Sequence, residues 1–267
     1  MNEPKTCTDK NALEAYLRRY PQLNYYHLGD LDNFFWPDTR WYTTQEGPAI
    51  TALALLYTAA EPEVLLAILN QNREQLGGLL ENLIPNLPDQ VYAHLSPGME
   101  TLFESRYSLE HHGEHYKMTL TQPEALDEID TASVIPLNET DLLRLEALYQ
   151  AAYPGNWFNP RMLQTGQYVG IQDEQGTLQC AAGVHVYSPA YQVAAVGNIT
   201  TLPSQRGRGL ATAATAGLCK QLLQSVNLIG LNVRTDNLPA IRSYQHAGFT
   251  ISGIYHEWML SRELATE

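Results

Sequence analysis

Arg206, Gly207, Arg208, Gly209, Leu210 and Ala211 stand in a row between an extended apolar run and an Ala-rich segment. Glycines at such a strand-to-helix turn let backbone N–H groups curl around an anion. The helix N-terminus adds about half a positive charge, and the two arginines add full ones. A pyrophosphate suits such a cradle. The spacing is neither GxxxxGK[ST] nor GxGxxG, which disfavours a nucleotide triphosphatase or a dehydrogenase. A second group of residues follows: Asn237, placed to cap a helix, then Ile241, Tyr244 and Ala247 on one helical face, then Gly248 and Phe249. That spacing turns the Tyr244 phenol inward.

Positioning these groups requires strands before each helix. In the second half, strands are expected at 133–137, 167–172, 177–187, 191–201, 228–234 and 249–260, with helices from Asn138 to about 153, at 210–225 and at 238–247. In the first half, strands are expected at 39–44, 49–58, 63–69, 90–95 and 115–120, and helices at 11–19, 73–83 and 98–105. Hairpin strands mixed with crossover helices give an α/β fold with a mixed sheet. Residues 122–130, acidic and poor in apolar side chains, read as a linker. The halves also echo one another: residues 57–68 lie over 187–198 at an offset of 130, and His115 and Met118 over His256 and Met259 at an offset of 141. Two unrelated α/β halves remain the alternative.

The chain of 267 residues, 44% hydrophobic and 17% charged, has a globular balance that excludes a disordered or fibrous protein. The net charge of −13 argues against a non-specific nucleic-acid binder. Residues 1–130 carry 20 acidic against 8 basic side chains and 131–267 carry 9 against 8, so the second half tolerates anions better. Cys7, Cys180 and Cys219 show no CxxC spacing and read as reduced thiols. With no apolar signal core and no apolar run near the roughly 20 residues of a spanning helix, a soluble cytoplasmic protein is expected.

R-x-x-G-x-A at 206–211 together with the Asn237 to Phe249 motif resembles the acyl-CoA-dependent N-acyltransferase superfamily known as GNAT. The resemblance covers about 133–260, and the run 183–203 (GVHVYSPAYQVAAVGNITTLP) is similar to the glycine N-acyltransferase-like branch. It implies tandem GNAT-like domains: a degenerate one over 1–130, without a cofactor motif, and a catalytic one over 131–267 with a splayed mixed sheet flanked by helices. It also implies acetyl-CoA as co-substrate, while the cysteine and histidine spacing indicates no metal. Amides of Arg206, Gly207, Arg208, Gly209, Leu210 and Ala211 would bind the pyrophosphate. Backbone groups around Val196, Asn198 and Ile199 would pair with the pantetheine and polarise the thioester carbonyl. Asn237 would contact the cofactor, and Tyr244 would protonate the departing thiolate.

Attack by an amine needs a base near neutral pH. Relatives often supply a Glu from the strand before the cradle, but Ala194 to Thr201 holds no carboxylate. His185 on the adjacent strand is the first candidate, since its ordinary pKa near 6.5 suits the task. Asn198, His256, Glu257 or a water chain could also serve. His111, His112, Glu114 and His115 form neither HExxH nor an alternating ligand set, and read as a solvated turn. The aromatics Tyr25, Tyr26, Phe34, Phe35, Trp36, Trp41 and Tyr42 read first as core, with the wall of an acceptor pocket as the alternative. In the first half, Ser105 or Arg106 stands where Tyr244 would. The expected function is transfer of an acetyl group to a primary amine of a small molecule or peptide, by direct attack in a ternary complex. Mid-helix Cys219 has no base beside it to form an acyl-cysteine. No nucleic acid or membrane partner is expected, and a homodimer is left open. The competing readings are a non-catalytic acyl-CoA-binding or regulatory module, and an interaction protein whose acidic half docks a basic partner.

Overall fold

The computed structural model describes residues 5–262. The chain divides into two compact units, one of residues 1–117 with 252–267 and one of residues 118–251. No single cut separates them, because the last strand begins in the second unit and ends in the first.

The first unit contains β1 (Lys5–Thr6), α1 (Lys10–Leu17), α2 (Tyr25–Asp30), β2 (Thr39–Glu46), β3 (Ala49–Tyr57), β4 (Glu63–Ala67), α3 (Arg73–Leu83), β5 (Gln90–Leu95) and most of β6 (Tyr107–Leu120). Asp9 starts α1 by accepting the N–H groups of Asn11 and Ala12 at 3.0 and 3.1 Å, which satisfies two orphan donors. Gly47, at φ +60°, makes the tight turn between β2 and β3. Leu76, Leu79, Leu80 and Leu83 recur at helical spacing, and all are buried against β3, β4 and β5. Tyr25, Phe35 and Trp41 from the aromatic cluster are also core residues.

The second unit contains β7 (Ile135–Leu137), α4 (Leu142–Ala152), β8 (Tyr168–Gln172), β9 (Leu178–Ser188), β10 (Val193–Thr201), α5 (Leu210–Leu222), β11 (Leu228–Arg234), α6 (Leu238–His246) and the start of β12 (Phe249–Arg262). Asn138 and Asp141 form a capping box before α4. The small residues Ala214, Thr215 and Ala216 of α5 are buried, so the helix lies close on β8, β9 and β10.

The same wiring occurs twice. Strands β1 to β4 pair antiparallel in sequence and β4 pairs parallel with β5, with α3 as the crossover. Strands β7 to β10 pair antiparallel and β10 pairs parallel with β11, with α5 as the crossover. The registers agree as well. Tyr57 opposite Val64 and Leu56 opposite Leu65 recur as Tyr187 opposite Ala194 and Val186 opposite Ala195, each 130 positions on. In the first unit β12 pairs with β5, and the strand order is β1-β2-β3-β4-β5-β12-β6.

Three local expectations need correction. Residues 98–105 form only a 3-10 turn at Glu100–Leu102. His111 to His115 lie inside β6, because nonlocal pairing overrides a polar local sequence. The presumed linker folds: Pro123–Glu128 is a 3-10 turn with Leu126 buried, and the Gln122 N–H donates to the Gly248 carbonyl at 3.1 Å. Among the described residues no helix is long and apolar enough to cross a membrane, and no cluster of three or more His, Cys, Asp or Glu could hold a metal ion.

Candidate active site

Strand β10 loses its neighbour partway along. Val193 to Val196 pair with Leu228 to Leu231, but β10 continues to Thr201 and β11 to Arg234 without further paired positions. The sheet opens there. On the other side, Gly197 opposes Gly183 and Thr200 opposes Ala181, so two residues of β10 face one of β9 in a bulge. Asn198 takes φ +53°, a left-handed conformation that asparagine tolerates better than most residues. Its carbonyl accepts the Tyr149 hydroxyl at 2.9 Å. Its side-chain amide donates to the Tyr168 hydroxyl at 3.0 Å, which in turn donates to the Val184 carbonyl at 3.2 Å. Burial pushes the phenols of Tyr149 and Tyr168 well above their ordinary range, which keeps both as donors. Asn198 and Ile199 have no paired position on either neighbouring strand, and the Asn198 carbonyl is taken by Tyr149.

Beyond β10 lies the Gly-rich turn. Gly207 and Gly209 both have φ +78°, and a Cβ on either would meet open space, so conformation and not crowding requires glycine. Gly209 precedes α5 with no side chain capping the first turn. The orphan N–H groups and the helix dipole there favour an anion. Arg206 reaches back, donating to the carbonyls of Thr201 at 3.3 Å and Ala152 at 3.2 Å, while exposed Arg208 donates to Gln205. Arg206 therefore anchors the turn, and Arg208 is the arginine with the freer reach. The Thr212 and Ser243 hydroxyls, 2.6 Å apart, tie the start of α5 to α6.

Asn237 caps α6 by accepting the Ala240 N–H at 3.3 Å, and Pro239 sits in the first turn, where its missing N–H costs nothing. Ile241, Tyr244 and Ala247 are all buried, as one face requires. The Tyr244 ring packs edge-on against Phe249 at 6.2 Å. Burial, then the neighbouring Tyr153 and Cys180, push the Tyr244 phenol above its ordinary range, so it stays protonated.

His185 is half-buried on β9, and its ring lies directly over Gly197: a Cβ there would come within 2.1 Å of Nε2. The structure thus sets His185 against the bulged strand. His256 and Glu257, the weaker base candidates, belong to the first unit. Glu257 accepts the hydroxyls of Tyr92 and Tyr255 and faces Nε2 of His94 at 3.4 Å and of His115 at 3.6 Å. Burial works against its charge, but the two imidazoles and the two phenols outweigh burial and hold the carboxyl below its ordinary range. That charge is already committed.

Three features escaped the sequence reading. Tyr149 and Tyr168 carry only the signal of buried aromatics, so their grip on Asn198 shows only in space. A cavity of about 370 Å³ lies beside them, lined among others by Glu146, Tyr153, Asn156 and Phe158. In the first unit, the opening has no counterpart. There β4 is paired with β5 throughout, Ser96 N–H continues the ladder to the Ala67 carbonyl at 3.2 Å, and the Ser96 hydroxyl accepts the Leu69 N–H at 2.8 Å. Asn72 caps α3 through the Gln75 N–H at 3.1 Å, and Arg73 donates to the Pro97 carbonyl at 2.7 Å.

Residues 137–249 match the model of the acetyltransferase (GNAT) family. A comparison with curated proteins found no significant match. Among solved structures, a protein from Novosphingobium aromaticivorans assigned to the GNAT family is 24% identical, with a TM-score of 0.55 over 70% of this chain and 82% of that one. A Drosophila protein is 12% identical, with a TM-score of 0.72 over 98% of this chain and 99% of that one. A tandem GNAT protein from the clavulanic acid biosynthesis pathway is 14% identical, with a TM-score of 0.56 over 99% of each chain. Residues 137–249 are a GNAT acetyltransferase domain, in a chain with the fold of tandem GNAT proteins.

Proposed function

We propose that the protein moves an acetyl group from acetyl-CoA to a primary amine of a small molecule or peptide, directly and within a ternary complex. One observation carries this reading: the sheet opens past Val196 and Leu231, and β10 then leads into a glycine turn and an uncapped helix N-terminus. Bound there, acetyl-CoA supplies an activated acyl thioester. Amides from Gly207 to Ala211 and the Arg208 side chain would hold its pyrophosphate, and backbone groups of Asn198 and Ile199 other than the Asn198 carbonyl, which Tyr149 occupies, would hold the acyl arm. An N–H aimed at the thioester oxygen stabilises charge where it develops.

Within this reading, Tyr244 holds a proton for the leaving sulfur, and His185 takes one from the amine. Direct transfer is supported by the two thiols of the second unit, which are not activated: burial pushes Cys180 up to about 11 and Cys219 up to about 12. The first unit keeps the strand wiring but has lost the coenzyme site, since Ser96 and Asn72 occupy the hydrogen bonds that an opening would free. The second reading, a non-catalytic acyl-CoA-binding module, is favoured by the absence of a carboxylate on β10. Calorimetry with acetyl-CoA, followed by free-thiol release over a panel of amines, separates the two. Saturable heat with turnover supports the enzyme, saturable heat without turnover on any amine supports the module, and no heat overturns both.

A further inference from the structure

The arginines on either side of Gly207 have different partners. Exposed Arg208 donates to Gln205, a neighbour in the turn itself. Arg206 is committed to two distant carbonyls: Nε donates to that of Thr201 at 3.3 Å and Nη2 to that of Ala152 at 3.2 Å. Thr201 is the last residue of β10, and Ala152 is the last of α4. One guanidinium thus joins the end of a strand to the end of a helix. The last carbonyls of a helix have no donor within it, and a cation there also meets the negative end of the helix dipole. A planar fork of donors can hold two carbonyls in fixed geometry, which the point charge of a lysine cannot.

The last turn of α4 borders the acyl end of the site. Tyr149 donates to the Asn198 carbonyl at the bulge at 2.9 Å. Tyr153, the residue after Ala152, stands close enough to Tyr244 to add to the rise that burial gives its phenol. The body of the helix is fixed by buried Leu145 and Leu148. Beyond Tyr149, the tie to β10 is the Arg206 guanidinium.

We infer that Arg206 is a positioning residue for acyl transfer: its guanidinium braces the end of α4 against the end of β10, and so fixes the segment that carries Tyr149 and Tyr153 against the acyl site. The inference rests on the acyl-transfer reading and gives the two arginines different work. Arg208 serves the diphosphate, and Arg206 serves the chemistry at the other end of the coenzyme. Without the brace the diphosphate contacts and the Tyr149 bond to Asn198 remain, so coenzyme still binds. The end of α4 then drifts, and a displacement of about 1 Å can cost up to about 100-fold in rate.

The test uses the full chain. Thiol release is followed from acetyl-CoA and from S-acetylpantetheine, which lacks the diphosphate, with the fastest acceptor from a panel of amino-acid amides, amino acids, diamines and short peptides. Calorimetry gives the affinity and stoichiometry of coenzyme A. Arg206→Lys keeps the charge and loses the fork. It should lower kcat by about 10-fold while the Kd for coenzyme A stays within about 2-fold and the stoichiometry is unchanged. It should lower kcat/KM for both thioesters by a similar factor, whereas Arg208→Gln should lose most of its penalty once the diphosphate is gone. An Arg206→Lys variant with the kcat of the unaltered protein overturns the inference. So does a penalty that vanishes with S-acetylpantetheine, which would make the guanidinium a diphosphate ligand, and so does a fall in stoichiometry that matches the fall in kcat, which would leave Arg206 a role in folding alone. The acyl-transfer reading survives all three results. An unaltered protein that binds coenzyme A and acetylates no amine of the panel overturns that reading, and the role of Arg206 with it.

Discussion

The Tyr149 hydroxyl donates to the Asn198 carbonyl at 2.9 Å, fastening helix α4 to the left-handed residue of β10. The bond ties the bulge at Asn198 and Ile199 to a helix whose C-terminal end also lines the cavity of about 370 Å³.

Tyr149→Phe should therefore do more than delete a contact. It leaves a buried carbonyl without its donor, a cost of about 1–3 kcal/mol, and it loosens the bulge. Coenzyme affinity should fall along with the melting temperature. Asn198→Gly keeps access to positive φ and should bind coenzyme better than Asn198→Val, whose β-branched side chain resists that conformation. If Asn198→Val binds as well as the glycine variant, the left-handed backbone plays no part in binding.

Gly197 tests His185 without touching its chemistry. A methyl group at 197 would come within 2.1 Å of the imidazole Nε2 and must push the ring aside. Gly197→Ala should lower kcat and shift its pH profile in the same sense as His185→Gln, with coenzyme binding retained. A pH profile that stays unchanged in His185→Gln would point to water, or to another group, as the proton acceptor.

Tyr244 is buried, and its phenol is pushed above the ordinary range by burial first and by Tyr153 and Cys180 second. It should stay protonated across the working pH range, so loss of activity on the alkaline side should not follow its ionisation. Tyr244→Phe should cut kcat by roughly 10-fold to 1000-fold with coenzyme affinity nearly intact. Unchanged turnover would leave the phenol as core packing beside Phe249.

Periodicity made the repeated parts of the fold legible. The leucines of α3 and the strand echo between residues 57–68 and 187–198 needed only local pattern, and the registers of β3 with β4 and β9 with β10 reproduce that echo. The glycines of the turn were legible because positive φ restricts the residue type. The partners of Asn198 were not, since Tyr149 and Tyr168 lie 49 and 30 positions away in sequence. The placement of β12 between β5 and β6 in the first unit was hidden for the same reason. It gathers His94, His115 and Glu257 into a cluster that no single stretch of sequence announces.

Stability of the first unit should carry a pH signature from Lys117. Its Nζ is buried among Tyr25, Tyr255 and Tyr26, at 4.6, 5.2 and 5.4 Å from the ring centres. Burial pulls the ammonium down to about 7, with Glu257 opposing. A base with a lowered folded pKa binds fewer protons folded than unfolded, so stability rises with pH from about 7 to the unfolded value of 10.5. Buried Asp30, pushed up to about 8, works the other way: the folded state holds its proton longer, and stability falls as pH rises from 3.8 to about 8. Buried His27, pulled down to about 3, costs stability as pH falls from 6.5. The His27 window ends at 6.5, and the Lys117 and Asp30 windows overlap only from about pH 7 to about 8, where the two offset each other. Above that overlap Lys117 acts without them, adding about 1.4 kcal/mol per pH unit at most. Urea unfolding at pH 8.0, 8.25 and 8.5, below the range near 9 where the raised thiols of Cys180 and Cys219 turn the slope the other way, should show that rise, within roughly the bound set by one proton. Lys117→Met fills the same aromatic cage with an uncharged chain and should flatten the slope while raising stability at pH 7. An identical slope in the variant would mean that the ammonium is solvated when the protein is folded, and that the three rings do not enclose it.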